Sequence, residues 1–350
     1  MAKTAITVPV FIPHAGCPGR CVFCNQARSA GASDELSREA IVRKVALYRE
    51  SAPESVSRFE IAFFGGNFTG LPAHEQARLL GIASGLKGAG AIQAIRLSTR
   101  PDCISGEIAG ALAAAGVDMV ELGVQSFSDR VLDLSARGHT AGDSVRAVAM
   151  LRERGIGTVI QLMAGLPGDT PRGALESARR AVELAPSGAR LFPAVVLRGS
   201  GLEALYRRGE YLPLGLDEAV DIVKDMFLEF ERARIPVIRM GLHPLRDERT
   251  DVVAGPYHPA FGFLVRSRAT GEMMERAVAA WLAFEGRGVT RARLLVPAAR
   301  AGEHIGHLRA NILRIERAFA QVRFECALIP AGEFRVERAL PARQSRAKRR

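Results

Sequence analysis

Cys17, Cys21 and Cys24 fall within eight positions of one another, in the stretch HAGCPGRCVFC, with the spacing C-x3-C-x2-C. Only Cys103 and Cys326 occur elsewhere in the 350 residues. Pro13, Gly16, Pro18 and Gly19 punctuate the same stretch, and such residues let a loop curl until its sulfurs face a common centre. Two chemistries compete for the thiols. With His14 they would complete a Cys3His zinc tetrahedron, yet structural zinc usually joins distant segments through paired C-x2-C knuckles, and no second pair follows. An iron–sulfur cubane normally takes four thiolates; held by three, it leaves one iron open to a small-molecule ligand.

Elements of alternating type must position that loop. Six short apolar runs read as strands buried on both faces: residues 5 to 12, 59 to 64, 92 to 98, 117 to 124, 156 to 163 and 189 to 197. Helix signals separate them, among them Ser37 and Ser105 as N-caps, Thr170-Pro171 as N-cap and N1, and Gly116 and Gly155 closing helices. Repeated β-α alternation requires right-handed crossovers and a parallel sheet, either doubly wound or curled into a barrel. The clusters GGN, STRPD, GVQS, AGLPGDT and RGSG all follow strand ends, so they should converge on one face. Beyond residue 200 the pattern loosens. A helix is expected from Asp217 to Arg234, then a strand IPVIRMGL, a helix around GEMMERAVAAWLAFEG, a strand RARLLVP, and an amphipathic helix with Leu308, Ile312, Ile315 and Phe319 on one stripe.

Composition narrows the setting. No stretch of about eighteen apolar residues escapes interruption by a charge, so no membrane-spanning helix is expected. The opening MAKTAITVPVFIP has one lysine but no long apolar h-region and no small-residue cleavage site, so a secretory signal is not expected. A cytoplasmic protein with reduced thiols is therefore expected, with Cys103 and Cys326 as ordinary buried residues. The balance of 48 Lys+Arg against 37 Asp+Glu gives +11, which favours a polyanionic partner such as RNA. Against that, 43 of the 48 bases are arginine, a skew that biased codon usage can produce without selection for binding.

The loop, with Phe23 before its last cysteine, resembles the cluster loop of the radical S-adenosylmethionine (SAM) enzymes. FFGGNFTG resembles their glycine motif, with Asn67 where an acid is common, and STRPD, ELGVQSFSDRVL, RGHT and QLMAGLPGDT follow in the expected order. RLFPAVVLRGSGLEALYRRGEYLPL is similar to the radical SAM domain of the Elongator catalytic subunit, a resemblance spanning roughly residues 5 to 240 that lacks that protein's acetyltransferase domain. It implies a partial (β/α)6 TIM-like barrel over residues 1–240; beyond it the residues themselves read as a C-terminal α+β extension over 241–340, expected to pack on the barrel because no low-complexity linker intervenes, and PARQSRAKRR as a basic disordered tail over 341–350. The resemblance implies a [4Fe-4S] cluster on Cys17, Cys21 and Cys24, and reductive cleavage of SAM to methionine and a 5′-deoxyadenosyl radical.

The resemblance also assigns residues. Phe23, Gly65 and Gly66 would border the cluster and the methionyl end of SAM; Ser98, Arg100, Gln125 and Ser126 would reach its carboxylate or ribose; Gln161 and Leu166 would border adenine. For Arg100 a salt bridge to Asp102 is the competing use. His139, Arg198, His243 and His258 are the substrate-site candidates, with His258 equally suited to fixing a turn. The implied partners are a tRNA or other RNA substrate and an electron donor such as flavodoxin or ferredoxin. GVQSF and GLPGDT also resemble the oxygen-independent coproporphyrinogen oxidases, which gives a porphyrin-like substrate as the alternative, although VFIPHAGC lacks their tyrosine-led cysteine motif. A non-catalytic zinc or redox module is the remaining alternative.

Overall fold

The computed structural model describes residues 5–12, 15–17, 21–25, 34–243, 245, 247–285 and 288–339. His14 and the basic tail lie outside the described residues. The chain divides into two compact units at Phe261/Gly262.

In the first unit seven strands form one parallel sheet: β1 (Ala5–Phe11), β2 (Arg58–Phe64), β3 (Ala94–Thr99), β4 (Met119–Gln125), β5 (Gly157–Ala164), β6 (Gly188–Pro193) and β8 (Val237–Met240). They lie in chain order, curled into a half-barrel with β1 and β8 as its edge strands among the described residues. The fold is thus the partial TIM-like barrel expected, with seven strands instead of six. The extra strand is the IPVIRMGL segment, which pairs with β6. The apolar run 189–197 does not continue as one strand: it breaks after Pro193, and Val196–Leu197 (β7) turns away to pair antiparallel with Val252–Ala254 (β9).

Several helices begin where the sequence gives them a side-chain partner for their free N–H groups. Ser37 accepts from Ala40 N at the start of α1 (Arg38–Glu50), Ser105 from Ile108 N at α3 (Gly106–Ala114), and Thr170 from Gly173 N at α6 (Pro171–Glu183). Each such cap is worth about 1 kcal/mol. Helices α2 (Ala73–Gly88), α4 (Asp129–Leu134), α5 (Ala141–Glu153), α7 (Gly201–Arg207), α8 (Leu216–Arg232) and the short α9 (Glu248–Asp251) complete the unit. Phe63, Phe68, Ile61, Ile95, Leu97 and Leu122 are fully buried between sheet and helices.

The second unit is built on α10 (Phe261–Glu285), whose first residue is the last of the barrel unit, and a three-stranded sheet in the order β11 (Arg323–Ile329), β10 (Arg291–Pro297), β12 (Arg335–Arg338). Met274, Val278, Leu294, Ile312 and Ile315 form its core. Helix α11 (Ala301–Ile305) precedes α12 (Ala310–Ala318). The expected stripe is shortened: Ile312 and Ile315 are buried, but Leu308 is 81% exposed because Leu308 and Arg309 take φ of 49° and 64°, so the helix starts only at Ala310. Cys326 departs from expectation as well. It is exposed on β11, and Cys103 is half-buried.

Among the described residues no helix is long and apolar enough to cross a membrane.

Candidate active site

The cysteine loop leaves the end of β1, and its backbone is stitched to the turn after β2, to the C-terminal cap of α4 and to the first turn of α7. Ala15 O accepts from Asn67 N at 2.9 Å, Val22 N donates to Ser135 O at 3.2 Å, and Leu202 N donates to Val22 O at 2.6 Å. Glycines permit the approach. Gly16 sits at φ 73°, and a Cβ there would lie 2.2 Å from Asn67 O; at Gly66 one would lie 2.4 Å from Ile12 O, and at Gly70 2.1 Å from Gly16 O. No side chain fits at these three positions unless the backbone moves.

Asn67 explains its own presence in place of an acid. It is 1% exposed; its Nδ2 donates to Gly16 O at 2.7 Å and to Cys103 Sγ at 3.1 Å, while its Oδ1 accepts from Thr99 Oγ1 at 2.6 Å and Arg100 N at 3.0 Å. Both donors and the acceptor are used. A carboxylate has no hydrogen for Gly16 or Cys103, so Asn67→Asp is expected to destabilise the loop by about 1 to 3 kcal/mol. Iron and sulfide assays after anaerobic reconstitution, read beside a melting curve, should show severalfold less cluster on a barrel that still melts cooperatively.

Two adjoining cavities open inside the half-barrel. The smaller, about 150 Å³, is lined by Cys17, Cys21, Cys24, Phe23, Gly66, Ser98, Arg100, Gln125, Arg137 and Gln161 among others. The larger, about 780 Å³, shares Phe23, Cys24, Gly66, Ser98, Gln125 and Gln161 and extends past Gly65 to His243. These cavities thus gather Cys17, Cys21, Cys24, Phe23, Gly65, Gly66, Ser98, Arg100, Gln125, Gln161 and His243 from the candidates read in the sequence. Gln125 reaches the cavity through a register shift at the end of β4 and a φ of 68°, the kind of bulge that re-aims a side chain.

The other candidates lie elsewhere. Ser126 turns to Ser177 and caps Ser128 N; Leu166 packs with Val131, Ala194, Phe23 and Met163. His139 is buried behind β4, with Nε2 3.2 Å from Val124 O and Nδ1 3.9 Å from Asp102. Burial, with Arg137 beside it, pushes its pKa down to about 4, so it is neutral at pH 7. Arg198 donates to Thr250 O at 2.6 Å, and its own carbonyl accepts from Asn25. His258 accepts from Ala260 N at 3.0 Å and so fixes a turn.

Arg100 forms the salt bridge to Asp102, with bonds of 3.0 and 2.9 Å, and also donates to Arg137 O. Arg137, which opens the RGHT motif but is not among the site candidates, is 6% exposed and donates Nη1 to Cys21 Sγ at 3.1 Å. Burial raises the Cys17 pKa, with Cys21 adding to it and Arg100 and Arg137 opposing. Among the described residues no three His, Cys, Asp or Glu side chains converge on a point as a single ion requires. A four-iron cube offers each sulfur a different iron and does not need that convergence. The bare Gly66 backbone and the guanidinium against a cysteine sulfur suit an anionic cluster with a small ligand beside it.

Residues 11–181 match the radical SAM superfamily and residues 186–270 its C-terminal domain. The chain belongs to the radical SAM superfamily, enzymes that use a [4Fe-4S] cluster and SAM. It is 29% identical over 224 residues to an uncharacterised protein of Methanocaldococcus jannaschii, covering 61% of this chain and 68% of that one. It is 27% identical over 244 residues to the tRNA uridine(34) acetyltransferase of Dehalococcoides mccartyi, covering 60% of this chain and 53% of that enzyme. The solved structure of Elp3 from Methanocaldococcus infernus shares the fold, with a TM-score of 0.59 at 22% identity over 79% of this chain and 64% of that one. The chain therefore spans about half the length of that acetyltransferase and under two thirds of that Elp3 chain.

Proposed function

We propose that this chain is a radical SAM enzyme that modifies tRNA. The observation that carries the reading is the meeting of Cys17, Cys21 and Cys24 with Gly66, Ser98, Gln125 and Gln161 around one cavity at the strand ends. Cys17, Cys21 and Cys24 would hold the cluster, which when bound supplies one electron to cleave SAM into methionine and a 5′-deoxyadenosyl radical. Gly65 and Gly66 offer backbone groups at the methionyl end, and Ser98, Gln125 and Gln161 offer polar contacts farther along the sheet. Arg137 balances charge at Cys21, and Phe23 with the apolar strand faces excludes water from the reacting space. tRNA as substrate draws on the tRNA-modifying relatives and on the +11 charge, and an electron donor such as flavodoxin or ferredoxin completes the set of partners.

The test is 5′-deoxyadenosine release by anaerobically reconstituted protein with SAM and dithionite, with and without bulk tRNA. Severalfold stimulation by tRNA is expected, with Cys17→Ala, Cys21→Ala and Cys24→Ala each falling to background. Turnover indifferent to tRNA would remove RNA as the substrate, and protein that takes up zinc but no iron would remove the radical chemistry.

A further inference from the structure

A belt of polar side chains crosses the interior of the half-barrel, one from nearly every strand. Thr7 on β1 donates to Glu60 on β2 at 2.6 Å; Arg96 on β3 pairs with Glu60 at 3.1 Å and with Glu121 on β4 at 3.0 Å; Arg190 on β6 pairs with Glu121 at 2.8 Å; Gln161 on β5 donates to Glu121 at 3.0 Å. Both carboxylates are thereby occupied. Arg239 on β8 is left over. It is the in-register neighbour of Arg190, and its guanidinium donates to the carbonyls of Gly241 at 3.1 Å and Leu242 at 2.9 Å, with no carboxylate in ion-pair range among the described residues. Three guanidiniums thus face two carboxylates.

Like charges opposite one another across adjacent strands cost stability, and more where apolar walls lower the dielectric. Here the walls include Phe11, Phe64, Ile238 and Leu242. Arg190 also keeps a buried Nε without a partner, and its guanidinium carbon lies 5.5 Å from the Phe64 ring centroid, within cation–π range. The neighbouring His243 brings no further charge: burial, with Arg239 and Arg190 beside it, pushes its pKa down to about 4. The excess is one positive charge, held on arginines that line a 780 Å³ cavity reaching Cys24.

We propose that Arg190 and Arg239 form a subsite for one phosphodiester of the substrate RNA. The single negative charge of a phosphodiester balances the belt, and arginine forks match its oxygens in pairs. Held there, the phosphate would fix the register of the neighbouring nucleotide against the reacting end of the cavity. The subsite rests on the RNA reading for its occupant, but it is measurable without the cluster.

The experiment is calorimetric titration of the cluster-free full chain with the dinucleotide UpU, its uncharged methylphosphonate analogue and inorganic phosphate. UpU is expected to bind roughly 10-fold or more tightly than the analogue, and inorganic phosphate more weakly than UpU. Arg239→Gln should abolish the difference between UpU and its analogue, and Arg239→Lys should restore part of it. Because Arg239 also holds two backbone carbonyls, Arg239→Gln is followed by melting, and the wild-type comparison decides the matter if that variant does not fold. Equal binding of UpU and its analogue, no binding of UpU, phosphate as tight as UpU, or a folded Arg239→Gln that still discriminates would each overturn the subsite. The tRNA response of 5′-deoxyadenosine release is a separate readout, so the RNA reading can fail or stand independently.

Discussion

Gly16→Ala is expected to leave a folded barrel that no longer assembles its cluster. Gly16 takes φ 73°, where an alanine costs on the order of 1 kcal/mol, and that is the smaller part. The new Cβ would lie 2.2 Å from Asn67 O and 2.8 Å from the backbone of Gly70 and Leu71, none of which is a flexible side-chain tip. The loop must therefore lift off the β2 end, taking with it the carbonyl that Asn67 Nδ2 holds, and Cys17 moves with its neighbour. Iron per chain after reconstitution should drop at least about 10-fold, a loss of 1.4 kcal/mol or more in loop placement, while far-UV circular dichroism is retained. Gly81→Ala in α2 is the control. A Cβ there meets nothing within 4 Å, and alanine in a helix interior should stabilise by up to about 1 kcal/mol. Full cluster loading in Gly16→Ala would show that the loop is not seated on the β2 end as described.

This seat marks how far the sequence was legible. The glycines and cysteines could be read as a site because their types and order are local facts, and the strands because each is a continuous apolar run. Whatever depends on how one strand registers against the next was not legible. Arg96, Glu121, Arg190 and Arg239 sit in strands as single charges among apolar neighbours, each indistinguishable in sequence from a solvated edge residue. Only the parallel register places Arg190 opposite Arg239. A charge inside a both-faces-buried run was the one available signal, since such a residue needs a partner. Arg137, though part of RGHT, was not legible as a cysteine neighbour because the loop after α4, turned by Ala136 at φ 51°, is what brings it back to Cys21. Conversely, His139 and Arg198 carried functional residue types but are consumed by backbone carbonyls and loop contacts. The seventh strand was read without its place in the sheet, because a four-residue strand after a long helix does not announce its partner.

Glu121→Ala is expected to destabilise the barrel strongly, although the residue is polar. The carboxylate is 1% exposed and is shared by Arg96, Arg190 and Gln161. Its removal leaves the belt's three partly buried guanidiniums facing one remaining acid, and breaking a buried set from one side typically costs about 3 to 5 kcal/mol. For a unit of this size that lowers the melting temperature by roughly 10 °C, measurable by calorimetry in low-phosphate buffer. Glu121→Gln keeps the shape and one acceptor but removes the charge, so it should fall between wild type and Glu121→Ala. Pairing it with Arg190→Met should recover part of the loss, because the partner left uncompensated is then gone too. Ligand binding should move the other way. With three guanidiniums against one carboxylate, the cavity of Glu121→Gln should take UpU more tightly than wild type while its fold is weaker. Stability and affinity changing in opposite directions from one substitution is what a charge surplus held inside the barrel requires. A Glu121→Ala protein melting within about 2 °C of wild type would instead mean that water screens the belt as it screens a surface pair, and the argument for an anion at Arg239 would fall with it.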